Sequence, residues 1–150
     1  MLGTSKDIKY PGLNILPPGV ERHVVNGGGL TGFQVFPDDE IEIVNNEGNQ
    51  ICEIICFDKS GKSELGIFNL KENSKKNYIK NILLGKDESI LATNYQLKKR
   101  NLNISDSHAA IIFDPDTNAG EVIKLKSKDK CYAIFASPGD DMDVTNQNPP

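Results

Sequence analysis

Apolar and polar residues alternate along most of the chain, in short runs separated by Gly, Pro, Asn and Asp. A period of two predicts β-strands with one buried face, and the separating residues predict turns. The predicted strands cover residues 20–25, 31–36, 40–44, 50–57, 65–70, 89–93, 108–114, 121–125 and 131–136. One helix is predicted over residues 72–84, where Ile79, Ile82 and Leu83 recur at helical spacing among lysines.

Two loops have the composition of hairpin connections. NNEGN, at residues 45–49, contains Gly48, which can adopt positive φ, and DPDTNAG at residues 114–120 is similar. Many short strands about ten residues apart are typical of sandwiches and barrels. We therefore expect a mainly β fold, an antiparallel β-sandwich or barrel-like domain with about one short helix.

The chain divides into three parts by composition. Residues 1–18, which end in Pro17 and Pro18, are expected to form an N-terminal arm, and residues 19–137 a single β domain. Residues 138–150 are polar and end in Pro149 and Pro150. We interpret them as a linker toward a further domain.

Two motifs suggest a nucleotide but lack the required context. GGGLTG, at residues 27–32, matches G-x-G-x-x-G, yet the following FQVFPDDEIEIV predicts strand, turn and strand. A dinucleotide site needs a helix that begins within the glycines, so we interpret this segment as a glycine-rich loop. SGKS at residues 60–63 would need a glycine five residues before Gly61, where the chain has Cys56.

Charge and hydropathy limit the possible partners. The 150 residues carry a net charge of −4, and the longest basic cluster, at residues 98–100, is expected to be a solvated loop. We therefore expect no nucleic-acid partner and no membrane partner. No apolar run approaches the roughly 20 residues of a membrane span, and the N-terminus lacks the apolar core of a signal peptide. These features predict a cytoplasmic protein.

The three cysteines do not form a disulfide framework or a metal motif. In the predicted strand QICEIICF, Cys52 and Cys56 share a face but lie about 13 Å apart, too far to bind one zinc ion. We interpret them as free apolar residues, and we expect no metal and no cofactor in this segment.

Glu53 is the most informative single residue, because it shares its predicted face with Ile51, Ile55 and Phe57. A carboxylate on an apolar face must be paired, hydrogen-bonded or exposed to a cavity. It could lie on an edge or bulged strand that reaches water, or in a pocket that binds a small amine, amino acid or ureido-type ligand. In the pocket interpretation, Gln50 adds an amide, His108 acts as a general acid or base, and Glu53→Leu should raise stability. No catalytic residue is assigned.

Two segments carry a resemblance to a known family. ILPPGVERHVVNGGG, which begins at Ile15, and DDEIEIVNNEGNQICEIICFD resemble the urea-carboxylase-associated domain family. The resemblance covers about the first 60 residues: Gly48, Asn49 and Gln50 match the family turn, and Glu53 stands where the family usually has aspartate. The family's His-Asp pair and downstream cysteine motif are missing, since neither His23 nor His108 precedes an aspartate.

The tail SPGDDMDVTNQNPP resembles the junction to a glycine-cleavage T-protein-like aminomethyltransferase. The resemblance implies an accessory β domain that binds a small molecule or packs against the catalytic part of such an enzyme, intramolecularly or as a homo-oligomer. Tetrahydrofolate would be the cofactor of the longer protein. The alternatives are a stand-alone hydrolase or deiminase acting on C–N bonds of guanidine or ureido substrates, and a ligand-free interaction domain.

Overall fold

The computed structural model describes residues 20–25, 29–46, 48, 50–74, 76–113, 116 and 118–137. The predicted arm at residues 1–18 and the predicted linker at residues 138–150 lie outside this part of the chain. The described residues form a mainly β domain with two sheets, so the predicted fold class is confirmed. A layer of two helices covers one sheet; the sequence predicted only one of them.

The larger sheet has four strands in the order β2-β7-β4-β5. All of its pairs are antiparallel. Its strands are β2 (Gly29–Val35), β4 (Cys52–Asp58), β5 (Ala110–Phe113) and β7 (Cys131–Ser137). The two central strands, β4 and β7, are buried on both faces over almost their whole length. This double burial explains why QICEIICF is a nearly continuous apolar run.

The smaller sheet has three strands in the order β1-β3-β6. They are β1 (Val20–Val25), β3 (Glu40–Asn45) and β6 (Glu121–Lys126). β3 pairs with β6 in antiparallel orientation but with β1 in parallel orientation, so this sheet is mixed. Along β3, buried Ile41 and Ile43 alternate with Glu42 and Val44, as the sequence period predicts.

Two apolar clusters hold the layers together. The cluster between the sheets includes Ile41, Ile43, Ile54 and Phe135. The other cluster packs the opposite face of the larger sheet, through residues such as Ile55 and Phe57, against the helices. The helices are therefore the third layer of the domain, and residues of opposite parity along β4 contact different layers.

The helical layer differs from the sequence prediction. Helix α1 covers only Tyr78–Ile82 of the predicted 72–84, and helix α2 covers Glu88–Lys99, where the sequence predicted a strand at residues 89–93. The strand predicted at residues 65–70 is wrong as well, because Leu65–Phe68 is a 3₁₀ turn. The basic cluster predicted as a loop is the end of α2. Within the described residues, no helix is long and apolar enough to cross a membrane.

The two predicted hairpins are wrong, because neither segment joins two strands that pair with each other. The positive-φ glycines expected of such turns are present. NNEGN connects β3 in the smaller sheet to β4 in the larger one, and DPDTNAG connects β5 back to β6. The two connections meet, because Asn45 accepts a hydrogen bond from Gly120 N at 2.9 Å and its side chain accepts one from Gly48 N at 3.0 Å. Both glycines have positive φ, of 74° and 86°.

Gly48→Ala is expected to destabilise the protein more than Gly120→Ala. Both substitutions introduce a Cβ at positive φ, which costs about 1–2 kcal/mol. At Gly48 the added Cβ would also lie 2.5 Å from the backbone nitrogen of Ala119, whereas at Gly120 it meets nothing within 4 Å. Urea unfolding should give a free-energy loss for Gly48→Ala that exceeds the loss for Gly120→Ala by about 1 kcal/mol or more. Equal losses would contradict the close approach of the two connections.

Candidate functional site

Glu53 lies completely inside the domain. It is 0% exposed, and it occupies a central strand, between Ala136 of β7 and Ile111 of β5. A register irregularity separates it from Cys52, as the bulged-strand interpretation proposed, but its carboxylate does not reach water. The prediction that it shares a face with Ile55 and Phe57 is confirmed, since this face packs against the helical layer.

Three donors from one segment satisfy the Glu53 carboxylate. The Ser74 hydroxyl and the backbone N–H of Tyr78 donate to Oε2, the latter at 3.0 Å. The backbone N–H of Ile79 donates to Oε1 at 2.8 Å. Asn77, the residue that precedes α1, makes no side-chain cap hydrogen bond. Glu53 of strand β4 caps the N-terminus of the helix instead. This geometry gives the residue a structural role.

The other two residues of the predicted ligand set have different partners. Gln50 is partly buried, and its Oε1 accepts a hydrogen bond from the Ser137 hydroxyl at 2.8 Å. His108 is exposed, and its Nδ1 lies 3.1 Å from Glu72 Oε2. No hydrogen bond between described residues joins either one to Glu53. Their role as ligand-binding residues stays a prediction.

His108 lines an open cleft of about 630 Å³ with Ser63, Glu64 and Lys128. Its backbone N–H donates to the Ser63 hydroxyl at 2.9 Å, which fixes the start of the segment that leads into β5. The carboxylate of Glu72 orients the imidazole through Nδ1, an arrangement that suits a general base. Sequence spacing gave no signal for this pair, because 36 residues separate its members.

The cysteines are buried and free, as predicted. Cys52 and Cys56 both face the cluster between the sheets, and Cys131 of β7 joins them there. A hydrogen bond with Cys131 and burial raise the pKa of Cys56, and the same bond lowers the pKa of Cys131. Over the part of the chain that the structure describes, no three His, Cys, Asp or Glu side chains are grouped so that they could hold a metal ion.

A second pocket, of about 450 Å³, lies at the end of β4, beside Asp58. The turn after β4, the end of α2 and the start of β7 form its walls. Its charged lining residues are Asp58, Lys59, Arg100 and Lys130, beside Tyr132. We refer to these five residues as the cationic pocket. Sequence reasoning missed it, because its three basic residues come from three separate segments, and SGKS, which forms part of one wall, was considered only as a phosphate loop.

Comparison with known proteins gives one informative relative. The chain is 33% identical, over 141 residues, to a protein of Ruegeria pomeroyi named trimethylamine-oxide aldolase. The aligned region is 94% of this chain but 18% of that protein, so the chain spans less than a fifth of its curated relative. No family model matches the sequence. No solved structure matches it either.

The contacts of Glu53 reverse the expectation that leucine at this position raises stability. Glu53→Gln keeps the shape but replaces one acceptor oxygen by an NH₂ group, which should cost about 1–3 kcal/mol. Glu53→Leu leaves the Ser74 hydroxyl and both amide groups without an acceptor and should cost more. Glu42→Gln is the matched control. Glu42 is partly buried but pairs with the exposed side chains of Arg22 and Lys124, so this substitution should cost at most about 1 kcal/mol. A leucine variant as stable as the wild type in urea would refute the capping role.

Cys52 should contribute to alkaline destabilisation. Burial, and secondarily the nearby Glu53 charge, raise the pKa of Cys52 from 9.0 to about 12. Above pH 9 the unfolded thiol loses its proton while the folded one keeps it, so stability falls as pH rises through this window. Between pH 8 and pH 10.5, Cys52→Ala should therefore lose about 2 kcal/mol less unfolding free energy than the wild type. The non-ionising core variant Ile54→Val should follow the wild type; identical pH slopes for all three proteins would exclude the buried-thiol effect.

Proposed function

We propose that this chain is an accessory β domain of a larger enzyme that cleaves a C–N bond of a methylated amine. The observation that carries this proposal is the complete engagement of the Glu53 carboxylate by Ser74, Tyr78 and Ile79. Glu53, the residue that the sequence singled out as a candidate ligand-binding group, therefore has a structural role. A domain of this kind contributes binding surface and shape, and another part of the polypeptide supplies the catalytic groups.

The name of the relative supports this substrate class. Its name states an aldolase of trimethylamine oxide. The only carbons of trimethylamine oxide are methyl groups, so an aldolase-type cleavage gives dimethylamine and formaldehyde, with all atoms conserved. Formaldehyde has the same oxidation level as the methylene unit that tetrahydrofolate accepts in aminomethyl transfer. The chemistry of the relative and the resemblance of the chain to aminomethyltransferase-associated domains therefore support the same cytoplasmic one-carbon metabolism, with tetrahydrofolate bound elsewhere in the longer protein.

An exposed apolar surface supports the accessory role. Leu91 and Tyr95 lie four residues apart on α2 and therefore on the same face of the helix. They are 54% and 62% exposed, and the nearby Leu84 is 79% exposed. Large exposed apolar side chains in one region are typical of surfaces that pack against another domain.

A stand-alone hydrolase or deiminase is the second candidate. The hydrogen bond between His108 Nδ1 and Glu72 favours it, because this pair could activate a water molecule in the 630 Å³ cleft. In this case the substrate would carry a guanidine or ureido group, and the product would include ammonia.

The purified chain is expected to be inactive by itself. Incubation with trimethylamine oxide should release neither dimethylamine nor formaldehyde above the protein-free blank, and guanidine and ureido compounds should release no ammonia. When the same chain replaces the matching segment of the Ruegeria pomeroyi protein, the chimera should form product at a rate within about tenfold of the parent rate. A tenfold difference corresponds to about 1.4 kcal/mol of transition-state stabilisation.

Turnover by the chain alone would refute the accessory role. If this activity disappeared in His108→Gln but remained in Lys128→Gln, a variant in the wall of the same cleft, the hydrolase alternative would be supported. A chimera that elutes and unfolds like the parent protein but forms no product would show that this domain does not replace its relative.

A further inference from the structure

The cationic pocket concentrates positive charge in an acidic protein. The chain has a net charge of −4, yet three cationic side chains and one carboxylate line this pocket. In the described part of the chain, neither Arg100 nor Lys130 takes part in an ion pair. Lys59 approaches Asp129 only at 3.9 Å, with both side chains largely exposed. The positive charge of the pocket is therefore available to a ligand.

The one carboxylate of the pocket is directed into its own turn. Asp58 Oδ1 accepts hydrogen bonds from the backbone N–H and the hydroxyl of Ser60, at 2.9 and 2.7 Å, and from Lys62 N at 2.9 Å. These bonds, led by the Ser60 hydroxyl, lower the pKa of Asp58. Oδ1 is thus engaged within the turn, and between described residues no ion pair joins Asp58 to the three cations.

An aromatic ring lies beside each of the cations Arg100 and Lys130. The Arg100 guanidinium lies over the Tyr132 ring, 4.9 Å from its centroid, and the Lys130 ammonium lies 5.7 Å from the centroid of Phe36. A stacked guanidinium uses its face for the ring and leaves N–H groups in its plane for an oxyanion.

Gly32 leaves room for the Tyr132 ring, over which Arg100 lies. A Cβ at Gly32 would lie 2.7 Å from the Tyr132 hydroxyl oxygen, so any larger residue there would require the ring to shift. Tyr132 is 6% exposed, and burial raises its pKa. The last glycine of the segment GGGLTG thus has a packing role that is connected to the pocket.

We propose that the cationic pocket binds a small polyanion with carboxylate or phosphate groups, whose oxygen atoms contact Arg100, Lys130 and Lys59. A volume of about 450 Å³ is within the range of small-molecule sites. Arg100 provides the directional, bidentate contact, and the two lysines provide charge. This site is independent of the proposed accessory role, because anion binding can be measured on the chain whatever enzyme it belongs to.

Inorganic pyrophosphate and citrate are suitable probes, titrated separately at low ionic strength by calorimetry and by amide NMR. The largest shifts should occur at Gly61, Arg100 and Tyr132, and salt should weaken the binding. Arg100→Gln should reduce affinity about tenfold to a hundredfold, which corresponds to the loss of one or two charge-assisted hydrogen bonds. Arg100→Lys should lose less, because it keeps the charge. Tighter binding of pyrophosphate would indicate a phosphate ligand, and tighter binding of citrate a polycarboxylate.

Lys98→Gln is the matched control, because it removes the same charge from the same helix end but lies outside the lining of the pocket. It should keep the wild-type affinity. Equal losses in Lys98→Gln and Arg100→Gln would show diffuse charge attraction and overturn the proposal. The absence of binding of either probe to the wild type would overturn it as well. Because Arg100 is exposed, Arg100→Gln should unfold at the same temperature as the wild type. An unchanged unfolding temperature would show that the lost affinity comes from the pocket and not from unfolding.

Discussion

The buried carboxylate of Glu53 determines how the helical layer attaches to the larger sheet. An isolated helix as short as Tyr78–Ile82 is unstable, so α1 depends on contacts from outside itself. Ile79 supplies apolar packing, and Glu53 accepts the first two N–H groups of the helix. A buried charge is costly unless such donors surround it, so a displacement of α1 that moved both N–H groups away would be unfavourable. The same interaction therefore fixes the position of the helix along β4 and makes the buried glutamate tolerable.

The strands could be predicted from the sequence because their signal is local. The alternation in β3 and the apolar run of β4 directly reflect which faces are buried. The helix α2 gave no comparable signal, because Ile90 and Thr93 resemble a strand and only three of its residues, Ile90, Thr93 and Leu97, are buried. The pairing of the strands could not be predicted from the sequence either. NNEGN and DPDTNAG have the composition of hairpin turns, but packing across the whole domain decides which strands pair.

The site residues illustrate the same division between local and tertiary information. The face on which Glu53 lies follows from strand parity, but its partners come from residues 21 to 26 positions later in the chain. His108 was expected near Glu53, whereas its hydrogen-bond partner is Glu72. The cationic pocket needs the end of β4, the end of α2 and the start of β7 in one place, so no spacing in the sequence could reveal it.

Satisfaction of the acidic groups explains how an acidic chain maintains a cationic surface. Asp58 is engaged by the turn that follows it, Glu42 lies between Arg22 and Lys124, and Glu53 caps α1. Each of these carboxylates has partners away from Arg100 and Lys130. The formal charge of the whole chain is thus a poor guide to the potential at the pocket, where the local arrangement of donors decides the sign. Glu53, near the beginning of β4, stabilises the fold. The residues around the end of β4 line the proposed anion site. The structural residue and the proposed binding residues therefore lie at opposite ends of the same strand.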